Sequence, residues 1–189
     1  MGGSFCAFLD ASVLYPVSLR NLLMRLTLAG LYQARWSAGV HDEWIRSVLR
    51  DHPHIPPARL HELRAAMDDQ AEDALVTGYE SLIESLHLPD PDDRHVLAAA
   101  IVGRADVIVT FNLKDFPDQE LSPYHIEAQH PDEFIRHMLD LAPVVVVDAI
   151  RAQQSRLMNP PVSMPDLLAL LEKQGLTETV SELRHLLAV

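Results

Sequence analysis

The sequence predicts an α/β fold built on a parallel sheet, and three features of the 189 residues carry that expectation. Ser4–Leu9 is a nearly continuous apolar run, the pattern of a strand buried on both faces. Ala105–Thr110, ADVIVT, is β-branched and equally buried in character. Between and after these runs lie segments whose leucines recur at helical spacing, so strands and helices alternate along the chain.

In chain order, Asp10 closes the first strand. Ligands of open α/β sheets gather beyond the carboxyl ends of the strands, so an acid there is well placed for chemistry, although Asp10 or Ser12 also suits a capping role. Pro16 opens a helix with Leu19, Leu22, Leu23 and Leu26 on one face, ending at Gly30. YQARW is a second short strand and Ser37 caps the helix after it. On that helix Val40, Trp44 and Val48 form the buried stripe. Glu43 borders the stripe, where it either points into a cleft or pairs with Arg46 at the surface. DHPHIPP breaks the helix, and Pro57–Met67 forms another through Leu60, Leu63 and Met67. Histidines 52, 54 and 61 lack the spacing of a zinc site and are expected in solvent. Ala74–Leu86 has a helical period, with Leu75, Tyr79, Leu82, Ile83 and Leu86 inward.

Asp90 is expected to cap a helix with Pro91 at its first position and Asp93 at its third, a carboxylate version of the capping box. Three acids within DPDD exceed what capping needs, because each further acid adds repulsion, and a bound cation would explain the excess. The alanine-rich HVLAAAIVG suits a helix lying tight on a sheet. Thr110, Asn112 and Asp115 follow the ADVIVT strand on the sheet edge where Asp10 emerges. HIEAQ supplies one more strand, and Pro131 opens a helix through Phe134, Ile135, Met138 and Leu141. Pro143 starts a helical VVVVDAIRAQQSRL despite its valines. Ser163 and Pro165 start MPDLLALLEKQ, Gly175 stops it, and Thr177 starts TETVSELRHLL, giving a leucine-striped hairpin that packs on the domain or on a partner.

The chain carries 27 acidic and 15 basic residues, a formal charge of −12, which argues against broad non-specific nucleic-acid binding. Any nucleic acid must meet a local basic patch or a bound metal. The single cysteine, Cys6, fits a reducing compartment and a core position. With no long apolar run and no signal-like start, the expected location is the cytoplasm, without a membrane partner. Asp10, Glu43, the Asp90–Asp93 cluster and Asp115 together suit a hard divalent cation and a phosphate, since oxygen donors select magnesium or manganese over zinc.

FLDAS near the start, Glu43 in the helix after WS, LPDPDDRHVLAAAI and VIVTFNLKDF together resemble the PIN domain, and in particular the VapC-like toxins of bacterial toxin–antitoxin systems. The resemblance covers about residues 4–137. The tail is similar to the helical C-terminal extension of a longer subgroup. The resemblance implies a three-layer α/β/α fold with a central parallel sheet over residues 1–137, a helical extension over 138–189, and a Mg²⁺- or Mn²⁺-dependent endoribonuclease. By motif, Asp10, Glu43, Asp93 and Asp115 match the four acids, with Asp90 and Asp92 competing for the third place. Thr110 matches a loop-bracing threonine and Asn112 a polar position beside the metal, where many relatives have an acid. Expected partners are an RNA substrate, an antitoxin protein and a second copy of the chain. Arg94, Lys114, Arg20 and Arg46 are candidate phosphate contacts. Two other readings stand beside this one: a catalytically degenerate PIN-like protein-binding module, and a metal-dependent phosphatase. The haloacid-dehalogenase pattern of the latter needs a second Asp where Ser12 stands, and a receiver domain would need paired acids at the first strand.

Overall fold

The computed structural model describes residues 5–158 and 160–188. Five strands form one parallel sheet: β1 (Cys6–Leu9), β2 (Gln33–Ser37), β3 (Leu75–Val76), β4 (Val107–Val109) and β5 (Glu127–Gln129), in the order β3-β2-β1-β4-β5. Helices cover both faces, giving the three-layer α/β/α architecture with a helical C-terminal extension. Ser4, the first residue expected in β1, lies outside the described residues. β1 and β4 hold the centre, paired Ala7 to Val107 and Leu9 to Val109. Every residue of both strands is buried, as their unbroken apolar runs require. Cys6 is a core residue, and burial pushes its thiol pKa up.

The strand order reverses direction at β1. The chain leaves β1 toward β2 on one side and returns to β4 on the other, so a crevice opens at the carboxyl ends of these neighbours. Asp10 continues β1 by one backbone bond, its N–H donating to the Val109 carbonyl at 3.1 Å. It then caps a short helix, α1 (Ala11–Leu14), by accepting from the Ser12 N–H. Capping and placement at the strand end therefore coincide in one residue.

α2 (Val17–Leu28) follows, with Leu19, Leu22, Leu23 and Leu26 fully buried. α3 (Ala38–Asp51) starts at Ser37, whose hydroxyl accepts from the Val40 N–H at 3.2 Å. Val40, Trp44 and Val48 are its buried stripe. α4 (Pro57–Gln70) buries Leu60 and Met67, while His52, His54 and His61 stand in solvent.

The helix expected over Ala74–Leu86 does not form. Leu75–Val76 pairs with Trp36–Ser37 as the edge strand β3, and Glu80–Ser85 is a 3₁₀ turn. Gly78 at φ +78° sits in the left-handed region, which breaks a helix at that point. Leu75 is exposed rather than inward; Tyr79 and Leu86 are buried.

Asp90 accepts from the Asp92 N–H at 2.9 Å and caps a 3₁₀ turn, Pro91–Asp93, which leads into α5 (Arg94–Val102). Asp93 makes no reciprocal side-chain bond at the cap, so the capping box expected there is absent and its carboxylate is left for other work. Ala98, Ala99 and Ala100 are fully buried where α5 meets the sheet. A short helix, α6 (Asp118–Leu121), precedes β5.

α7 (Pro131–Leu141) begins the C-terminal layer. Phe134, Ile135 and Met138 face inward as expected, but Leu141 is 85 % exposed and Leu139 takes the buried place. α8 (Pro143–Ser155), α9 (Met164–Lys173) and α10 (Thr177–Leu187) complete the extension. The Asp132 carboxylate of α7 accepts the N–H groups of Glu178 and Thr179, both at 2.8 Å, and so caps α10 from another helix. The division anticipated between residues 137 and 138 falls within α7.

Candidate active site

The site is built from three loops that meet at the carboxyl edge of β1 and β4. Asp10 is 5 % exposed. Its Oδ2 accepts from the Ser12 hydroxyl at 2.6 Å, the Thr110 hydroxyl at 2.9 Å and the Ser12 N–H at 3.3 Å. Three donors on one oxygen fix the carboxylate plane and leave Oδ1 without a protein donor. Thr110 is fully buried and braces the loop beyond β4, its Oγ1 accepting the Asn112 N–H at 3.0 Å. The Ser12 hydroxyl accepts the Phe111 N–H at 3.1 Å, stitching the loops after β1 and β4 together. An aspartate at position 12 could not donate to Asp10 as this hydroxyl does.

Asp93, on the turn before α5, is half-buried. Desolvation raises its carboxyl pKa from 3.8 to about 7, reinforced by the negative charges of Asp10, Asp90, Asp115 and Glu43. The four candidate acids thus share one electrostatic neighbourhood although 105 positions separate the first from the last in sequence. Asp90 and Asp92 are exposed, and of these two only Asp90 contributes to the field at Asp93. Asp115, in a 3₁₀ turn over Leu113–Asp115, is largely shielded. Among the described residues, no three His, Cys, Asp or Glu side chains converge closely enough to hold a metal ion as they stand. Carboxylates that repel one another settle apart. The donor set is nonetheless all hard oxygen, the type that suits a divalent cation.

Glu43 does not pair with Arg46. Its Oε1 lies 2.6 Å from Nε2 of His95, on the first turn of α5. Burial lowers the imidazole pKa, but the hydrogen bond and charge of Glu43, with Asp10 and Asp93, outweigh burial and leave it raised. His95 Nδ1 is buried without a partner. Sequence reasoning gave His95 no role, and its position two residues after Asp93 was the only available signal.

Among the candidate phosphate contacts, Lys114 and Arg46 are exposed, and the Lys114 ammonium reaches only 4.0 Å from Asp115. Arg94 is tethered, donating from Nε to the Pro91 carbonyl at 2.9 Å. Arg20 is a correction: it is 3 % exposed, its guanidinium lies 4.8 Å over the Trp44 ring, and Nη1 donates to the Leu14 carbonyl at 2.6 Å. Its guanidinium packs against Trp44 in the interior and is not open at the acidic edge.

The sheet order, the switch point and the acids at its rim define a PIN domain, and residues 6–114 match the family described as PIN domain. The chain belongs to that family. Residues 131–185 match the family described as VapC50 C-terminal domain, and the chain is related to VapC50: over 101 residues it is 44 % identical to a Mycobacterium tuberculosis protein named "Putative ribonuclease VapC50". That alignment covers 53 % of this chain and 59 % of the relative, so less than two thirds of the relative's length is spanned. No solved structure matches the chain. Among the described residues no helix is long and apolar enough to cross a membrane.

Proposed function

We propose that the chain is a divalent-metal-dependent endoribonuclease, the toxin of a type II toxin–antitoxin system, with a nuclease unit over residues 1–137 and a helical extension over 138–189. PIN-family membership supports a nuclease-like function in general. The observation that carries the finer reading is the half-buried Asp93 at the sheet edge, whose ionisation is suppressed first by desolvation and then by the charges of Asp10, Asp90, Asp115 and Glu43. Asp10, Asp93 and Asp115, with Glu43, are the residues that would hold Mg²⁺ or Mn²⁺. Bound there, the ion would polarise the scissile phosphodiester and lower the pKa of an attacking water.

The remaining roles belong to the chain's own groups. Ser12 and Thr110 hold the Asp10 carboxylate in one orientation with Oδ1 free. His95 positions Glu43 at the rim, where that carboxylate orients water. Lys114 and Arg46 are exposed cations that can meet backbone phosphates on a chain of net charge −12, and Asn112 is the polar position of the loop after β4. In-line attack by water with departure of the 3′-oxygen leaves a 5′-phosphate and a 3′-hydroxyl. The expected partners are cellular RNA in the cytoplasm, an antitoxin protein covering the acidic crevice, and a second copy of the chain.

RNA cleavage in Mg²⁺ tests this reading. Asp10→Asn, Asp93→Asn and Asp115→Asn should each abolish cleavage while leaving the circular dichroism spectrum intact; unchanged cleavage in all three overturns the assignment. The separation of the carboxylates favours one competing reading, a degenerate protein-binding module. A protein that binds the antitoxin yet neither cleaves RNA nor binds Mn²⁺ would be that module.

A further inference from the structure

A cavity of about 670 Å³ opens between α2, α4 and α8, away from the acidic edge. Its lining includes Arg20, Arg25 and Arg156 and contains no Asp or Glu. On a chain where acids outnumber Lys and Arg by 27 to 15, three guanidiniums around an acid-free cavity are a marked local reversal of charge. Among the described residues none of the three forms an ion pair. Arg25 and Arg156 stand near enough that Arg156, after burial, lowers the Arg25 pKa.

The cavity floor adds a second, independent observation. Arg20 is 3 % exposed, and its Nε has no hydrogen-bond partner. Burial lowers its pKa to about 10, and a buried cation without a counter-ion is costly. Beside it Gln153, also 3 % exposed, donates from Nε2 to the Ser18 carbonyl at 3.0 Å, which fixes the amide orientation and leaves Oε1 unpartnered. Arg20 and Gln153 thus place a guanidinium and an amide in the cavity lining, each with an unpartnered atom shielded from solvent, and Met24 and Leu63 supply apolar wall.

We propose that this cavity binds a phosphomonoester of nucleotide size. Guanidiniums match phosphate oxygens in geometry as well as charge, and a dianion relieves the Arg25–Arg156 repulsion that a single carboxylate would only half offset. The ligand body covers the apolar wall. The volume lies in the range of small-ligand pockets. Because Gln153 lies in α8 and Arg156 is the residue that ends it, the site exists only where the extension meets the rest of the chain.

The test is calorimetric titration of the full chain in EDTA with adenosine monophosphate, inorganic phosphate and acetate, so that no metal recruits phosphate to the acidic edge. Wild type and Asp10→Asn should bind adenosine monophosphate saturably and equally. A variant combining Arg25→Gln and Arg156→Gln, both on the cavity rim, should bind at least tenfold more weakly with its melting curve still cooperative. Tighter binding of the nucleotide than of inorganic phosphate supports a phosphorylated small molecule. Equal affinities would overturn the ester body, and acetate binding as well as phosphate would overturn the phosphate class. Absence of saturable binding, or affinity unchanged in the double variant, overturns the site.

Discussion

Replacing Asp93 with asparagine should stabilise the protein while destroying the activity proposed for it. The Asp93 carboxyl titrates near 7 in the folded chain, against an ordinary 3.8. A raised acid pKa means that the folded state binds the proton more tightly than the unfolded state does. As pH rises from about 4 to about 7 the folded state therefore loses stability, and above 7 the cost is complete. Three pKa units at about 1.4 kcal/mol each set an upper bound of roughly 4 kcal/mol. The side chain is only half-buried, and solvent screening brings the expected cost to about 1–2 kcal/mol. For a domain of this size that is a rise in melting temperature of about 3–6 °C for Asp93→Asn. Scanning calorimetry in EDTA at pH 8 and pH 4.5 reads it directly. The gain should appear at pH 8 and shrink to about a quarter of that at pH 4.5, where wild-type Asp93 is protonated when folded. A variant less stable at pH 8, or equally stabilised at both pH values, would refute the electrostatic account of the site.

Three further outcomes follow from the same structure. Glu43→Gln should lower the titration midpoint of the His95 imidazole, followed by NMR, because Glu43 is the chief group raising it; by the same sign, the Glu43–His95 pairing is fully present below about 6.5 and fades as pH climbs through the raised value. An unmoved midpoint would detach His95 from Glu43. Asp132→Ala should cost about 2 kcal/mol and lower the melting temperature by about 4–8 °C, since it strips the charged cap from two N–H groups at the start of α10; thermal melts check it, and a loss within error would show that α10 does not depend on that cap. Gly175→Ala should cost about 1–3 kcal/mol, because Gly175 lies at φ +96° and a Cβ there would come within 2.9 Å of the Phe111 ring. Phe111 lies between Thr110 and Asn112, so RNA cleavage should weaken along with stability; cleavage fully retained at an unchanged melting temperature would disprove the contact.

What could be read from the sequence was set by how local the physics is. β1 and β4 declare themselves because a strand buried on both faces has no polar residue to confuse its pattern. α3 and α9 declare their starts through Ser37 and Ser163, whose caps act within three residues. Asp10 could be placed at a strand end for the same reason. The segment after Ala74 misled because Leu75, Tyr79, Leu82, Ile83 and Leu86 have helical spacing. Pairing of Leu75 with Trp36 and the left-handed Gly78 override that spacing, and neither follows from local propensity. The partner of Glu43 was illegible, since His95 lies 52 positions away. Arg20 resembles any exposed helical arginine until Trp44 is placed beneath it. The leucine hairpin could be drawn from Ser163, Gly175 and its leucine spacing, but not the capping of its second helix by Asp132 or its docking of Gly175 against Phe111, which ties the extension to the loop bracing Asp10.

The central claim is that acids from distant parts of the chain serve one hard cation at the rim of the sheet. Calorimetric titration of metal-free protein with Mn²⁺ measures this most directly. The account predicts saturable binding that Asp10→Asn or Asp93→Asn weakens by about 10–100-fold with the fold preserved. Wild-type protein that takes up no Mn²⁺, or binds it with an affinity indifferent to both substitutions, would contradict it.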